Sequence, residues 1–89
     1  MTDYTKILAA IRDPKTKKVY SGESHQEIVD KADTISEALR DRLMAEYGRV
    51  TENTGFIDAD GLFYTRMQAL KKWGIMTSQD LKEKRRYGR

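Results

Sequence analysis

The chain has no cysteine, one proline, one histidine and one tryptophan in 89 residues, and these scarcities each remove a class of protein. Without cysteine there is no disulfide framework and no thiol nucleophile. With a single histidine there is neither a zinc site built on Cys and His nor a metal site built on several histidines, and a serine triad has only His25 to draw on. No apolar run reaches the length of a membrane span or a signal-peptide core, so the sequence predicts a soluble, cytoplasmic chain with no membrane partner. Hydrophobic residues make up 38% of the chain, against about 45–50% in globular chains when Gly is also counted. A domain of this length buries roughly 60–65% of its unfolded surface. The core is therefore small, and with disulfides and structural metal excluded, self-association is the remaining way to add burial, which predicts a homo-oligomer.

Charge is abundant but uneven. The net charge is +3, and residues 82–89 alone carry Lys82, Lys84, Arg85, Arg86 and Arg89 against Glu83. The first 81 residues keep 12 basic and 13 acidic groups of the chain's 17 and 14, or −1. Basicity therefore belongs to a C-terminal tail, 82–89, and not to a broad nucleic-acid-binding face.

Taken in order, the pattern reads as one domain over 1–89, α+β, with antiparallel β-hairpins packed with two or three helices. Thr5 to Arg12 is a first strand whose apolar run, Ile7 to Ile11, does not alternate, the mark of a strand covered on both faces. Asp13-Pro14-Lys15-Thr16-Lys17 is a turn, and Lys18 to Ser21 returns antiparallel. Ser24, with Glu27 three residues on, opens a helix that runs from His25 to about Tyr47. Its apolar stripe is Ile28, Ala32, Ile35, Leu39, Leu43 and Tyr47, with a break possible at Asp33-Thr34, where either residue can cap a second helix. Gly48 stops it, and Arg49 to Thr54 is a polar loop. Gly55 to Ala69 then compresses strand, tight turn, strand and helix. Asp60-Gly61 is a short-loop hairpin signal, and Thr65 caps a helix beginning at Arg66. That helix shows Met67, Leu70 and Trp73 on one side and stops at Gly74, after which Thr77 or Ser78 caps a final turn or two leading into the tail.

Within this plan the chemistry gathers at Arg66. A guanidinium at a helix N-terminus beside Phe56, Phe63 and Tyr64 meets the requirements of an anion or nucleotide site. The tail has three readings, a solvated end, which its position favours, a phosphate patch, or an arm folding over a bound anion; in a helix Arg85 and Arg89, four apart, would fall on one side as a two-pronged phosphate clamp. Asp58 and Asp60 are read as turn-forming acids in preference to a catalytic or magnesium-holding pair, and each aromatic first of all as a core residue.

The succession Ile7-Leu8-Ala9-Ala10-Ile11, Val19-Tyr20-Ser21-Gly22 with Ser24-His25, Gly55-Phe56-Ile57, Gly61-Leu62-Phe63, Thr65-Arg66 with Ala69, and Thr77-Ser78-Gln79-Asp80-Leu81 resembles small phage proteins of the Thoeris anti-defence sponge family. The resemblance implies an oligomer that sequesters a cyclic ADP-ribose-like immune signal in the host cytoplasm without cleaving it, with no catalytic residue, metal or cofactor. It implies that Phe56 stacks on the adenine, that Arg66 lies at the pocket, that Arg85 and Arg89 contact the pyrophosphate, and that His25 stabilises the fold. Leu62, where a basic or polar residue is usual, and Gly74-Ile75, in place of a small-polar pair, depart from the family pattern. The alternatives are a phage inhibitor of a host defence complex acting through protein contacts, and a small nucleic-acid-binding protein using the tail.

Overall fold

Ile7 to Ile11 sets the centre of the molecule. In the computed structural model, which describes residues 3–49 and 51–87, Leu8–Arg12 is β1, an interior strand, and Ala9, Ala10 and Ile11 have no solvent exposure. The other strands are β2 (Val19–Gly22), β3 (Thr54–Ile57) and β4 (Phe63–Thr65), in the antiparallel order β2-β1-β3-β4. The helices are α1 (His25–Asp33), α2 (Glu37–Arg49), α3 (Arg66–Trp73) and α4 (Ser78–Tyr87), so the domain is α+β with a four-stranded antiparallel sheet. No helix among the described residues is long and apolar enough to cross a membrane.

β1 begins later than the apolar run predicts. The Asp3 carboxylate accepts hydrogen bonds from the Thr5 N–H and hydroxyl and winds Tyr4–Lys6 into a 3-10 turn. Strand alternation then divides the sheet. Ala9 and Ile11 share a face with Tyr20, Thr54, Phe56 and Tyr64; Leu8, Ala10 and Arg12 share the other with Val19, Ser21, Gly55, Ile57, Phe63 and Thr65. All four helices lie on the first face, where Ile28, Val29, Ala32, Leu39, Leu43, Ala69, Trp73 and Leu81 close over Ala9, Ile11 and Phe56. Full burial of each Leu or Ile here contributes on the order of 1.5–3 kcal/mol.

The long helix is broken near the predicted place but by another residue. Thr34 terminates α1, its hydroxyl donating to the Lys31 carbonyl at 2.6 Å, and Ser36, not Asp33 or Thr34, caps α2 by accepting from the Leu39 N–H. Ile35 falls in the break and is 67% exposed, so it leaves the apolar stripe. On α3 the core side is Ala69 and Trp73, one turn apart, whereas Met67 is 57% exposed and Leu70 also faces outward. Trp73 packs edge-on to Tyr64 at 4.7 Å.

The β3–β4 connection is longer than a two-residue turn, because Ile57 pairs with Phe63 and leaves 58–62 as the loop. Asp58 organises it. Its carboxylate accepts from the Asp60 and Leu62 N–H groups and from the Tyr64 hydroxyl, while Gly61 takes the positive φ of 81°. The pairing also needs Gly55, where a Cβ would stand 1.9 Å from the Tyr64 carbonyl oxygen.

One long-range ion pair ties the first hairpin to α2. Asp13 is buried at the start of the β1–β2 loop, accepts from Arg42 Nε and Nη2 at 2.9 Å each, and holds the loop through the Lys15 N–H and the Thr16 hydroxyl. The Arg42 hydrogen bonds, first among these causes, pull the Asp13 carboxyl down to about 2. Its contribution to stability is present above the unfolded carboxylate range near 3.8 and lost as pH falls through 2. Arg42→Met should cost about 2 kcal/mol in urea denaturation at neutral pH. In Asp13→Asn the acid limb of the stability curve between about pH 4 and 2 should flatten.

Candidate functional site

Two helix starts converge on one recess. α3 begins with a reciprocal capping box: Thr65 Oγ1 accepts from the Gln68 N–H and the Gln68 side chain accepts from the Thr65 N–H. This fixes Arg66 as the first helical residue. α4 repeats the device, with Thr77 Oγ1 accepting from the Asp80 N–H at 3.1 Å and the Asp80 carboxylate accepting from the Met76 and Thr77 N–H groups. Between them lies a concave recess of about 400 Å³, lined by Arg66, by Thr77, Ser78 and Gln79, and by Tyr47 and His25.

Arg66 is the unusual group in it. Its Nε is buried and has no hydrogen-bond partner, and loss of water lowers the guanidinium pKa from its ordinary value, with Tyr47 acting in the opposite direction. The guanidinium stays charged at any ordinary pH, so a cationic donor is held partly out of water with one N–H unspent. A buried donor without an acceptor costs about 1–3 kcal/mol, and an oxyanion in the recess would recover it.

His25 forms the floor. Its ring is almost fully buried, stacked on Tyr47 at 5.5 Å and edge-on to Phe56 at 5.4 Å. The Gly55 carbonyl, 2.8 Å from Nε2, can only accept, so Nε2 carries the proton; Nδ1 accepts from the Ser78 hydroxyl at 2.8 Å. The same Ser78 oxygen accepts from the His25 backbone N–H. Burial, chiefly, and the positive Arg66 lower the ring pKa to about 4, against the Gly55 hydrogen bond. A serine and a histidine at this distance form the start of a nucleophilic pair, but a base this weak, joined to a hydroxyl already engaged twice by the same residue, serves as a brace.

Of the three expected ligand-holding residues that are described, Phe56, Arg66 and Arg85, Arg66 lines the recess. Phe56 is corrected: alternation sends it to the helix-covered face, its exposure is 0%, and its ring has no free surface on which to stack a base. Arg85 is corrected as well. It donates to the carbonyls of Tyr4 and Ile7 and to the Glu23 carboxylate, so it pins α4 to the segment leading into β1. Arg89 lies outside the described residues. Asp58 is engaged in its turn, its pKa lowered first by the Leu62 N–H. Among the described residues no three of His, Cys, Asp and Glu gather where a metal ion would sit. Tyr47, Thr77, Ser78 and Gln79 were missed as site residues. The usable signal was the spacing Thr77-x-x-Asp80, the counterpart of Thr65-x-x-Gln68. The chain matches no protein-family model, no curated protein and no solved structure.

The brace has a pH signature. His25 is neutral in the native state down to about pH 4, whereas the unfolded ring takes up its proton near 6.5. The unfolded state therefore binds more protons between those values, and stability falls as pH drops from 6.5 to 4, by on the order of 3 kcal/mol in all. Denaturation midpoints measured across that window should fall for the native chain and stay level for His25→Gln.

Proposed function

We propose that this protein is a binding protein, not a catalyst, which captures a small anionic nucleotide in the recess beside Arg66. The buried Arg66 Nε without a partner is the observation that carries the reading. Arg66 supplies the charge and the first turn of α4 supplies backbone N–H groups for a phosphate. Tyr47, kept in place by its stack on His25, gives an aromatic base a ring to lie on, a contact worth about 1–3 kcal/mol in single-strand binders. A volume of about 400 Å³ is at the small end of ligand pockets and suits one nucleotide moiety. With the likeness to the Thoeris anti-defence sponges, this extends to sequestration of a cyclic ADP-ribose-like immune signal inside a phage-infected cell. Phe56 and Arg85 are not part of the proposed contacts. The second reading, an inhibitor docking on a host protein, draws on the exposure of Leu62 in the β3–β4 loop and of Met67 next to Arg66, at 59% and 57%.

Equilibrium dialysis with ADP-ribose as probe, then heat release and mass spectrometry of the supernatant, tests the proposal. Depletion followed by recovery of intact probe is the expected result, and Arg66→Met should weaken retention by about tenfold or more, the loss of a charged hydrogen bond. A cleaved product would mean an enzyme. Absence of depletion with both the probe and the cyclic signal would remove the nucleotide and leave the protein partner.

A further inference from the structure

We propose that the outer edge of β2 takes up an acidic, extended segment of a partner protein as an antiparallel fifth strand of the sheet. The order β2-β1-β3-β4 leaves two edges, and they differ. β4 is three residues long, and its Thr65 N–H is already spent on the Gln68 side chain, so that edge is blunted. β2 is open. The Asp13 N–H donates to the Lys18 carbonyl at 2.8 Å, continuing the register that sets Arg12 against Val19 and Ile11 against Tyr20. Main-chain groups of successive residues point to opposite sides of a strand. Lys18, Tyr20 and Gly22 therefore turn theirs toward β1, and Val19 and Ser21 turn theirs away from the sheet. Among the described residues no turn, cap or side-chain hydrogen bond reaches the main chain of Val19 or Ser21, and Ser21 is exposed.

The charge beside this edge selects its occupant. Lys15, Lys17 and Lys18 are exposed immediately before β2, and none of them forms an ion pair among the described residues. Asp13, the acid of that loop, is occupied by Arg42, and Lys18 lies over the Tyr20 ring at 5.2 Å. Uncompensated positive charge at one end of an open edge favours a strand that carries carboxylates there. An antiparallel strand, the pairing used throughout this sheet, passes its C-terminal end beside the lysines, so the acids belong at that end. Val19 and Tyr20, half-buried on opposite faces, give the rest of the strand apolar neighbours. A phosphate backbone would answer the lysines but brings only acceptors, leaving the Val19 and Ser21 carbonyls without donors; a peptide supplies both at the same two-residue spacing. None of the residues lining the Arg66 recess belongs to β2, so the two sites stand or fall separately.

Backbone-amide NMR of the full chain tests this, with the peptide acetyl-Thr-Val-Thr-Val-Glu-Glu-amide as probe and its Lys-for-Glu counterpart and inorganic phosphate as controls. The acidic peptide should shift the Val19 and Ser21 amides and slow their hydrogen exchange by about tenfold or more, and neither control should move them. Ser21→Pro removes only an N–H directed away from the sheet, a place where an edge strand tolerates proline, and should weaken peptide binding by about tenfold or more. The double variant Lys15→Glu with Lys18→Glu, at two exposed positions, should do the same, and it decides the matter if Ser21→Pro fails to fold. No response of these amides at millimolar peptide would overturn the proposal, as would equal binding of the two peptides or a response to phosphate alone. So would Val19 and Ser21 amides already protected in the free chain, or an affinity unchanged in a folded variant.

Discussion

A neutral imidazole with both nitrogens spoken for is the constraint on which the rest of the arrangement depends. His25 stands at the first turn of α1, donates to the Gly55 carbonyl of β3 and accepts from the Ser78 hydroxyl at the first turn of α4. Three segments distant in sequence meet in one ring, and its buried setting makes each bond matter more than it would at the surface. Turning the ring over would put C–H groups where the two nitrogens now bond, and the other tautomer would present a lone pair to a carbonyl, so the bonding pattern admits one orientation and one protonation state.

Around that ring, the site is built from ends of helices and not from their flanks. Capping boxes at Thr65 and Thr77 define where α3 and α4 begin, which places a guanidinium and the start of a second helix on the same hollow. At the far end of α4, Arg85 holds the helix down through two backbone carbonyls. Its work is structural, yet it bears on the recess because α4 supplies part of the wall. Cationic and N–H donors thus gather around one hollow, with the weakly basic His25 ring beneath them.

Much of the architecture was legible because it rests on local chemistry. Ser24 and Thr65 behave as caps, Gly74 follows the end of α3, and the β3, β4, α3 succession follows the reading of Gly55 to Ala69. What escaped were choices that local pattern leaves open. Period-two alternation says that Phe56 and Ile57 face opposite ways but not which of them the helices cover. Spacing on a helix places Arg85 without revealing that the carbonyls of Tyr4 and Ile7 wait for it 81 and 78 residues away. Asp13 read as a turn residue and is one, but its partner Arg42 lies on another element. Arg66 was placed at the start of α3 because that position depends on the Thr65 cap immediately before it.

Gly55 draws these threads into one position. A side chain there would run into the backbone of β4, and the Gly55 carbonyl is the acceptor for the buried ring. The methyl group of alanine would have to occupy the space of a neighbouring main-chain oxygen, and no rearrangement of flexible side chains can make that room. Pushing the outer strand aside would also shift the histidine and, through Ser78, the start of the last helix. The hollow beside Arg66 therefore owes its outline to a place in the sheet where hydrogen is the largest substituent the backbone tolerates.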